Sequence, residues 1–237
     1  MRALALALLV LLAPASAAAA ATSGQRGREA FQAGCASCHG AQGAGVRGRG
    51  PSLRGVGPAA VDFYLRTGRM PLADPGVQPV RERPRYDGAQ VRDIEAYIAS
   101  LGGPPGPPIP QVDPARGDLK LGRRLFADSC SGCHQTFARG GIAPGLVAPP
   151  LTEATATQIG EAIRVGPYLM PQFSPRQLDA HDVDSIARYV LSTRRHPVDA
   201  GGWAIGNLGP IPEGLIVWFV GAVTLVIVAR IIGERAA

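Results

Sequence analysis

The sequence predicts an all-α protein: two small helical domains in tandem, then a single membrane-spanning helix. Three observations predict it. Part of the 237-residue chain repeats itself in the same order. Each copy closes on an apolar stripe at helical spacing, and no run of alternating residues suggests a sheet. The C-terminal block is apolar all round and long enough to cross a bilayer.

The chain opens on "MRALALALLVLLAPASAAAA". One basic residue, Arg2, precedes a short apolar core and a run of small residues with A-x-A sites. That is the layout of a secretory signal over residues 1–21, with cleavage after Ala17 or Ala21. An uncleaved anchor is the alternative, but the apolar core is shorter than a span needs.

Residues 22–101 form the first expected domain. It contains "GREAFQAGCASCHG" from Gly27, "GPSL" from Gly50, "RTGRMP" from Arg66 and "VRDIEAYIASL" from Val91. Gly27 and Phe31, four apart, share a helix face. Val91, Ile94, Ile98 and Leu101 fall on one stripe of a closing helix, and Asp87 with Gln90 has the arrangement of a capping box. The segment 102–114, "GGPPGPPIPQVDP", is too rich in Gly and Pro for helix or sheet and reads as an extended, semi-rigid spacer.

Residues 115–195 form the second domain and repeat the first. "GRRLFADSCSGCHQ" starts at Gly122, "APPL" at Ala148, "VGPYLMP" at Val165 and "VDSIARYVLST" at Val183. Gly122 and Phe126 share a face as Gly27 and Phe31 do, and Val183, Ile186 and Val190 form the closing stripe. A second Gly/Pro-rich stretch, 196–213, leads into "GLIVWFVGAVTLVIVARIIG", 214–233, which has about the 20 residues a membrane span requires. Trp218 lies near one end, where indoles favour the interface. Arg230 lies near the other, where a long side chain snorkels to water. Arg230 and Arg235 place positive charge at the C-terminal end, so that end is expected in the cytoplasm and both domains outside the cell membrane. A buried core helix is the alternative, but the stretch shows no polar face.

Composition agrees. Gly (31) and Pro (22) are abundant and aromatic residues make up only 5% of the chain, as in small, loop-rich domains. The net charge of +6 is mostly arginine, scattered along the chain. No basic run with interleaved aromatics occurs, so no nucleic-acid partner is expected.

All four cysteines sit in two C-x-x-C-H pentads: Cys35, Cys38 and His39, then Cys130, Cys133 and His134. This is the attachment pattern of c-type haem. Two thiols on one helical turn can each add to a vinyl group, and the next residue projects its imidazole toward the iron. Covalent attachment also gives a small domain a core it cannot build from its own side chains. Zinc half-sites, redox dithiols and structural disulfides are the rival readings. A dithiol needs no adjacent histidine and lacks its βαβ setting here. A shared zinc would have to bridge two repeats across a stiff spacer.

Three methionines occur, one of them the initiator. Met70 and Met170 hold equivalent places in the two repeats, each followed by proline. A methionine on a helix stripe is usually core filler. These two lie in Gly/Pro-rich loops, so each is expected to be a distal iron ligand. His/Met ligation raises the reduction potential, suits electron transfer, and leaves no open position for oxygen or peroxide chemistry. Pro51 and Pro149 follow the pentads at similar places. Either a backbone carbonyl there accepts the proton on the second nitrogen of the ligating histidine, or these are plain turns. His181 and His196 read as surface residues. No Ser-His-Asp set, carboxylate pair or phosphate loop stands out, so no independent catalytic site is expected.

With "CASCHG", "GPSLRGVGPAAVDFYLRTGRMPL", "RYDGAQVRDIEAYIASLG", "CSGCHQ", "APPL", "GPYLMPQFSPRQL" and "LGPIPEGLIVWFVG", the chain is similar to tandem class I cytochromes c. More narrowly, it resembles the dihaem cytochrome c subunit of the actinobacterial-type menaquinol–cytochrome c reductase, the cytochrome bcc complex. The resemblance implies two covalently bound c-type haems. Cys35, Cys38, Cys130 and Cys133 would form the thioether links. His39 with Met70 and His134 with Met170 would ligate the two irons. It implies three partners: a cytochrome b subunit, a Rieske iron–sulfur subunit and a terminal cytochrome c oxidase. Electrons from menaquinol would reach one haem and leave from the other, and the chain would be the electron-transfer subunit of a translocating reductase. A free-standing anchored carrier, or the cytochrome subunit of a periplasmic dehydrogenase, has the same haem chemistry and remains the alternative. A dihaem peroxidase needs an open iron, which Met70 and Met170 count against.

Overall fold

The computed structural model describes residues 22–195 and 210–236. The expected signal at 1–21 and the stretch 196–209, with His196, lie outside the described residues.

The first repeat holds α1 (Ser23–Gly34), α2 (Ala36–His39), α3 (Pro58–Arg66) and α4 (Gly88–Ser100). Local sequence sets their starts. The Thr22 hydroxyl accepts from the Gln25 N–H while the Gln25 side chain accepts from the Thr22 N–H. Asp87 and Gln90 cap α4 in the same reciprocal way. Pro58 opens α3, where its missing N–H is not needed.

The second repeat holds α5 (Leu119–Ser129), α6 (Ser131–His134), α7 (Ala156–Val165) and α8 (Ala180–Arg195). Asp118 caps α5, and Thr155 with Gln158 caps α7. Gly166, at φ 62°, ends α7 in the left-handed conformation that glycine adopts without strain.

In each repeat the helix before the pentad crosses the closing helix at backbone contact. A Cβ built on Gly27 would lie 1.8 Å from the Asp93 carbonyl oxygen, and one on Gly122 would lie 1.9 Å from that of Ser185. Only glycine permits either crossing. The aromatic residue one turn on then packs beside it. The Phe31 and Tyr97 rings are 5.1 Å apart and tilted by 55°, and the Phe126 and Tyr189 rings are 5.3 Å apart and tilted by 53°. Both phenylalanines are fully buried, each worth about 2–3 kcal/mol of burial. Around them gather Val91, Ile94 and Ile98 in one core, and Val183, Ile186 and Val190 in the other.

The expectation of an all-α protein needs one correction. The chain is mostly helical, but β1 (Gly141–Ala143) and β2 (Leu146–Ala148) pair antiparallel, with Ala143 opposite Leu146. Pro144 and Gly145 make the turn, Gly145 at φ 77°. Strands of three residues are too short to show an alternating pattern.

The Gly/Pro-rich connector 102–114 is extended but does not stand away from the repeats. The Ala59 N–H donates to the Pro107 carbonyl at 3.2 Å. The Asp113 N–H donates to the Asp184 carboxylate at 2.8 Å. Gly55 and Gly57 lie against Pro104 and Gly106 so closely that neither could carry a side chain.

The repeats also meet directly, α3 on α7. The Gln78 amide donates to the Val147 carbonyl at 2.7 Å and accepts from the Val147 N–H at 3.0 Å. The Tyr168 N–H donates to the Tyr64 hydroxyl oxygen at 3.3 Å.

The last helix, α9 (Pro210–Ala236), contains the apolar stretch Gly214–Glu234 with a mean hydropathy of 2.6. None of that window is buried against the rest of the protein. Among the described residues it is the one helix long and apolar enough to cross a membrane.

Candidate haem-binding sites

Each pentad occupies a single helical turn. The Cys35 N–H continues the α1 ladder to the Phe31 carbonyl at 2.8 Å, and the His39 N–H reaches back to the Cys35 carbonyl at 2.9 Å. The second repeat matches: Cys130 to Phe126 at 2.9 Å and His134 to Cys130 at 2.9 Å. The spacing puts both thiols and the imidazole of each pentad on one turn.

A left-handed residue ends each turn, Gly40 at φ 78° and Gln135 at φ 59°. The chain then folds back, so that a proline carbonyl meets the histidine. His39 Nδ1 lies 2.8 Å from the Pro51 oxygen, and His134 Nδ1 lies 3.0 Å from the Pro149 oxygen. A carbonyl can only accept, so Nδ1 carries a proton in both contacts and Nε2 is the nitrogen left for a metal. That is the arrangement that orients a metal-ligating imidazole. It separates the two readings of Pro51 and Pro149 left open by the sequence. Gly50 supports it, because a Cβ there would lie 3.0 Å from the His39 ring.

In the second repeat Cys130, Cys133, His134 and Met170 line a single cavity. Phe126, Ile159, Ile163, Phe173 and Ile186 make up much of its apolar wall. In the first repeat Cys35 and Met70 pack against the cluster of Phe31, Val61, Leu65 and Ile94, and His39 is buried at the end of α2. The Met70 N–H donates to the Tyr64 carbonyl at 3.2 Å, and the Met170 N–H donates to that of Pro167 at 3.0 Å. An apolar slot edged by two thiols, one imidazole and one thioether fits a flat apolar macrocycle with a central iron.

The electrostatics agree. Burial pushes the Cys35 and Cys130 thiols up to about 11. Reactive redox dithiols are tuned in the opposite direction. Burial also lowers His134, against the opposing pull of the Pro149 carbonyl, and so favours the neutral imidazole that metal ligation requires. Among the described residues no three His, Cys, Asp or Glu side chains converge as a metal cage, and none of the four cysteines forms a disulfide. His181 is exposed.

Several cavity residues escape a reading of each repeat by itself. Phe63, Tyr64, Arg69 and Arg81 belong to the first repeat but line the cavity of the second. "RTGRMP" signals its methionine; nothing local in it signals that Arg69 faces the other domain. Burial, and then the charge of Arg81, lower Arg69 to about 10, so it stays cationic at neutral pH.

Known proteins resemble this chain across both repeats. Residues 24–102 match the family "Cytochrome c", and residues 117–190 match "Cytochrome C oxidase, cbb3-type, subunit III". A cytochrome bc1 complex cytochrome c subunit of Corynebacterium diphtheriae is 39% identical over 90% of this chain and 81% of its own length. One from Mycobacterium leprae is 40% identical over 89% of this chain and 75% of its own. The cbb3-type cytochrome c oxidase subunit CcoP of Rhodobacter capsulatus is 29% identical over 70% of this chain and 61% of its own.

Proposed function

Since the chain belongs to the family of cytochrome bc1 complex cytochrome c subunits, we propose that it carries electrons from the Rieske iron–sulfur subunit of such a complex, through two covalently bound haems, to a terminal oxidase. Its role is electron transfer, as part of a quinol-oxidising reductase that includes a cytochrome b subunit, and it has no catalytic site of its own. The likeness to an oxidase subunit supports an oxidase as the acceptor.

The observation that carries this reading is the convergence of Cys130, Cys133, His134 and Met170 on one apolar cavity, with the His134 ring held by the Pro149 carbonyl. The first repeat supplies the same set in Cys35, Cys38, His39 and Met70. A c-type haem, when bound, supplies an iron that changes charge by one electron. The protein's own groups do the rest. The cysteines would fasten the group through thioethers. Pro51 and Pro149 fix the imidazole planes. Met70 and Met170 would each offer a thioether to an iron, which would keep water and dioxygen off the metal and favour the reduced state. Residues 22–101 and 115–195 are taken as the two haem domains, and α9 as a single-pass anchor in the cell membrane. The positive charge at its C-terminal end supports a cytoplasmic C-terminus with both haem domains outside.

Gentle detergent extraction of the native chain, a haem-stained native gel and identification of co-migrating chains test the assignment. A cytochrome b and a Rieske protein in the haem-positive band are expected, and an oxidase in the same band supports direct delivery. A lone haem-positive band, stable across several detergents, would point to a free-standing carrier.

A further inference from the structure

The cavity of the second repeat carries unbalanced charge. Among the described residues that line it, the only arginines or lysines are Arg69 and Arg81, and none is Asp or Glu. Both arginines come from the first repeat. Arg69 is 8% exposed, and its Nη1 has no hydrogen-bond partner. Its guanidinium lies over the Phe63 ring, 4.9 Å from the centroid. Arg81 donates through Nη2 to the uncharged Gln158 amide oxygen at 2.7 Å. Neither arginine forms an ion pair among the described residues. Glu153 acts on Arg81 from outside the cavity lining, but burial and the charge of Arg81 both act against Arg69, which has a donor unused. A buried guanidinium so placed is costly unless an anion completes it. Guanidinium is also the side chain best matched to carboxylates, which it can hold through two parallel N–H bonds.

We propose that Arg69 and Arg81 bind the two propionate carboxylates of the haem held by the second repeat, so that one domain supplies the counter-charge for its neighbour's cofactor. This rests on the haem assignment made above. It explains why a slot with an apolar wall is edged by cations from outside its own repeat. It also gives one loop two duties, because Arg69 directly precedes Met70. The arginines act as positioning residues: they set the seating and the potential of the second haem without touching its iron.

The test uses the full-length, detergent-solubilised holoprotein with Arg69→Gln, Arg81→Gln and Arg81→Lys variants. Haem content comes first. Fewer than two covalent haems per parent chain would overturn the haem assignment itself. With two haems present, the resonance Raman band for propionate bending reports hydrogen bonds to the carboxylates. Both glutamine variants are expected to shift that band and to lower the midpoint of the haem whose spectrum Met170→Ala alters. Arg81→Lys is expected to hold the midpoint and still shift the band, because it keeps the charge and loses the fork. If a glutamine variant fails to mature, Arg81→Lys decides the question by itself. A propionate band that stays in place in every variant that matures with two haems overturns the proposal.

Discussion

A methyl group at Gly27 would overlap the Asp93 carbonyl, and one at Gly122 would overlap that of Ser185. Both obstacles are backbone, so a helix would have to move. Gly27→Ala and Gly122→Ala are each expected to destabilise their domain by about 1–3 kcal/mol, the range of overpacked cores. Urea unfolding of the holoprotein checks this, and an unchanged midpoint would refute the close crossing. The glycines were legible as repeated positions, and the pairing of Gly with Phe as a shared face. Their reason was not, because the carbonyl they meet lies some 65 residues further along the chain in each case. Met70 and Met170 allow a direct chemical test. Replacing either with alanine is expected to lower the potential of one haem and to remove that haem's share of the methionine-to-iron charge-transfer band. Two unchanged spectra would sink the ligand assignment.

Among the elements, the helices were the readable part. Their stripes repeat at helical spacing, and Asp87 with Gln90 announced the start of α4 in plain local chemistry. Asp87→Ala is expected to cost about 1 kcal/mol, as lost N-caps do, visible as a lower urea midpoint. Thr155→Ala removes an equivalent cap from α7 and adds a second effect. The Gln158 oxygen that closes this cap also accepts from Arg81, so loosening α7 disturbs the contact between repeats as well. The hairpin β1–β2 was not readable, since three residues per strand give no period to detect. Pro144 and Gly145 were the available signal, and in a segment so rich in both residues they did not stand out. The contribution of Phe63, Tyr64, Arg69 and Arg81 to the second cavity was hidden for a different reason. Periodicity reports which face of a helix is buried and says nothing about which neighbour buries it.

At the scale of the whole molecule, the junction of α3 with α7 encloses an acidic cluster. Glu161 is fully buried, and neither of its carboxyl oxygens has a hydrogen-bond partner. Burial, and then the nearby Asp62, push Glu161 up to about 9, while burial and Asp62 raise Glu95 to about 7. Arg66, paired with Asp62, and Arg92 are the opposing cations. A protonated Glu161 can donate to Asp62, and an ionised one can only repel it. Both shifts are upward, so their stabilisation is complete below the ordinary carboxyl value of 4.5 and is lost as pH rises through about 7 and then about 9. Docking of the two domains should therefore weaken toward alkaline pH. Glu161→Gln should flatten that dependence, and limited proteolysis across a pH series would show it. A wild-type profile flat from pH 5 to pH 9 would refute the protonated carboxyl. Between the domains, the connector 102–114 adds a fixed tie, hydrogen-bonded to α3 at one end and to α8 at the other. A swinging carrier must wait for diffusion before each hop, and thick solvent slows it. Two haem sites strapped to one frame would have no such step, so once both are loaded the internal electron hop after flash reduction should proceed at the same rate in glycerol as in water.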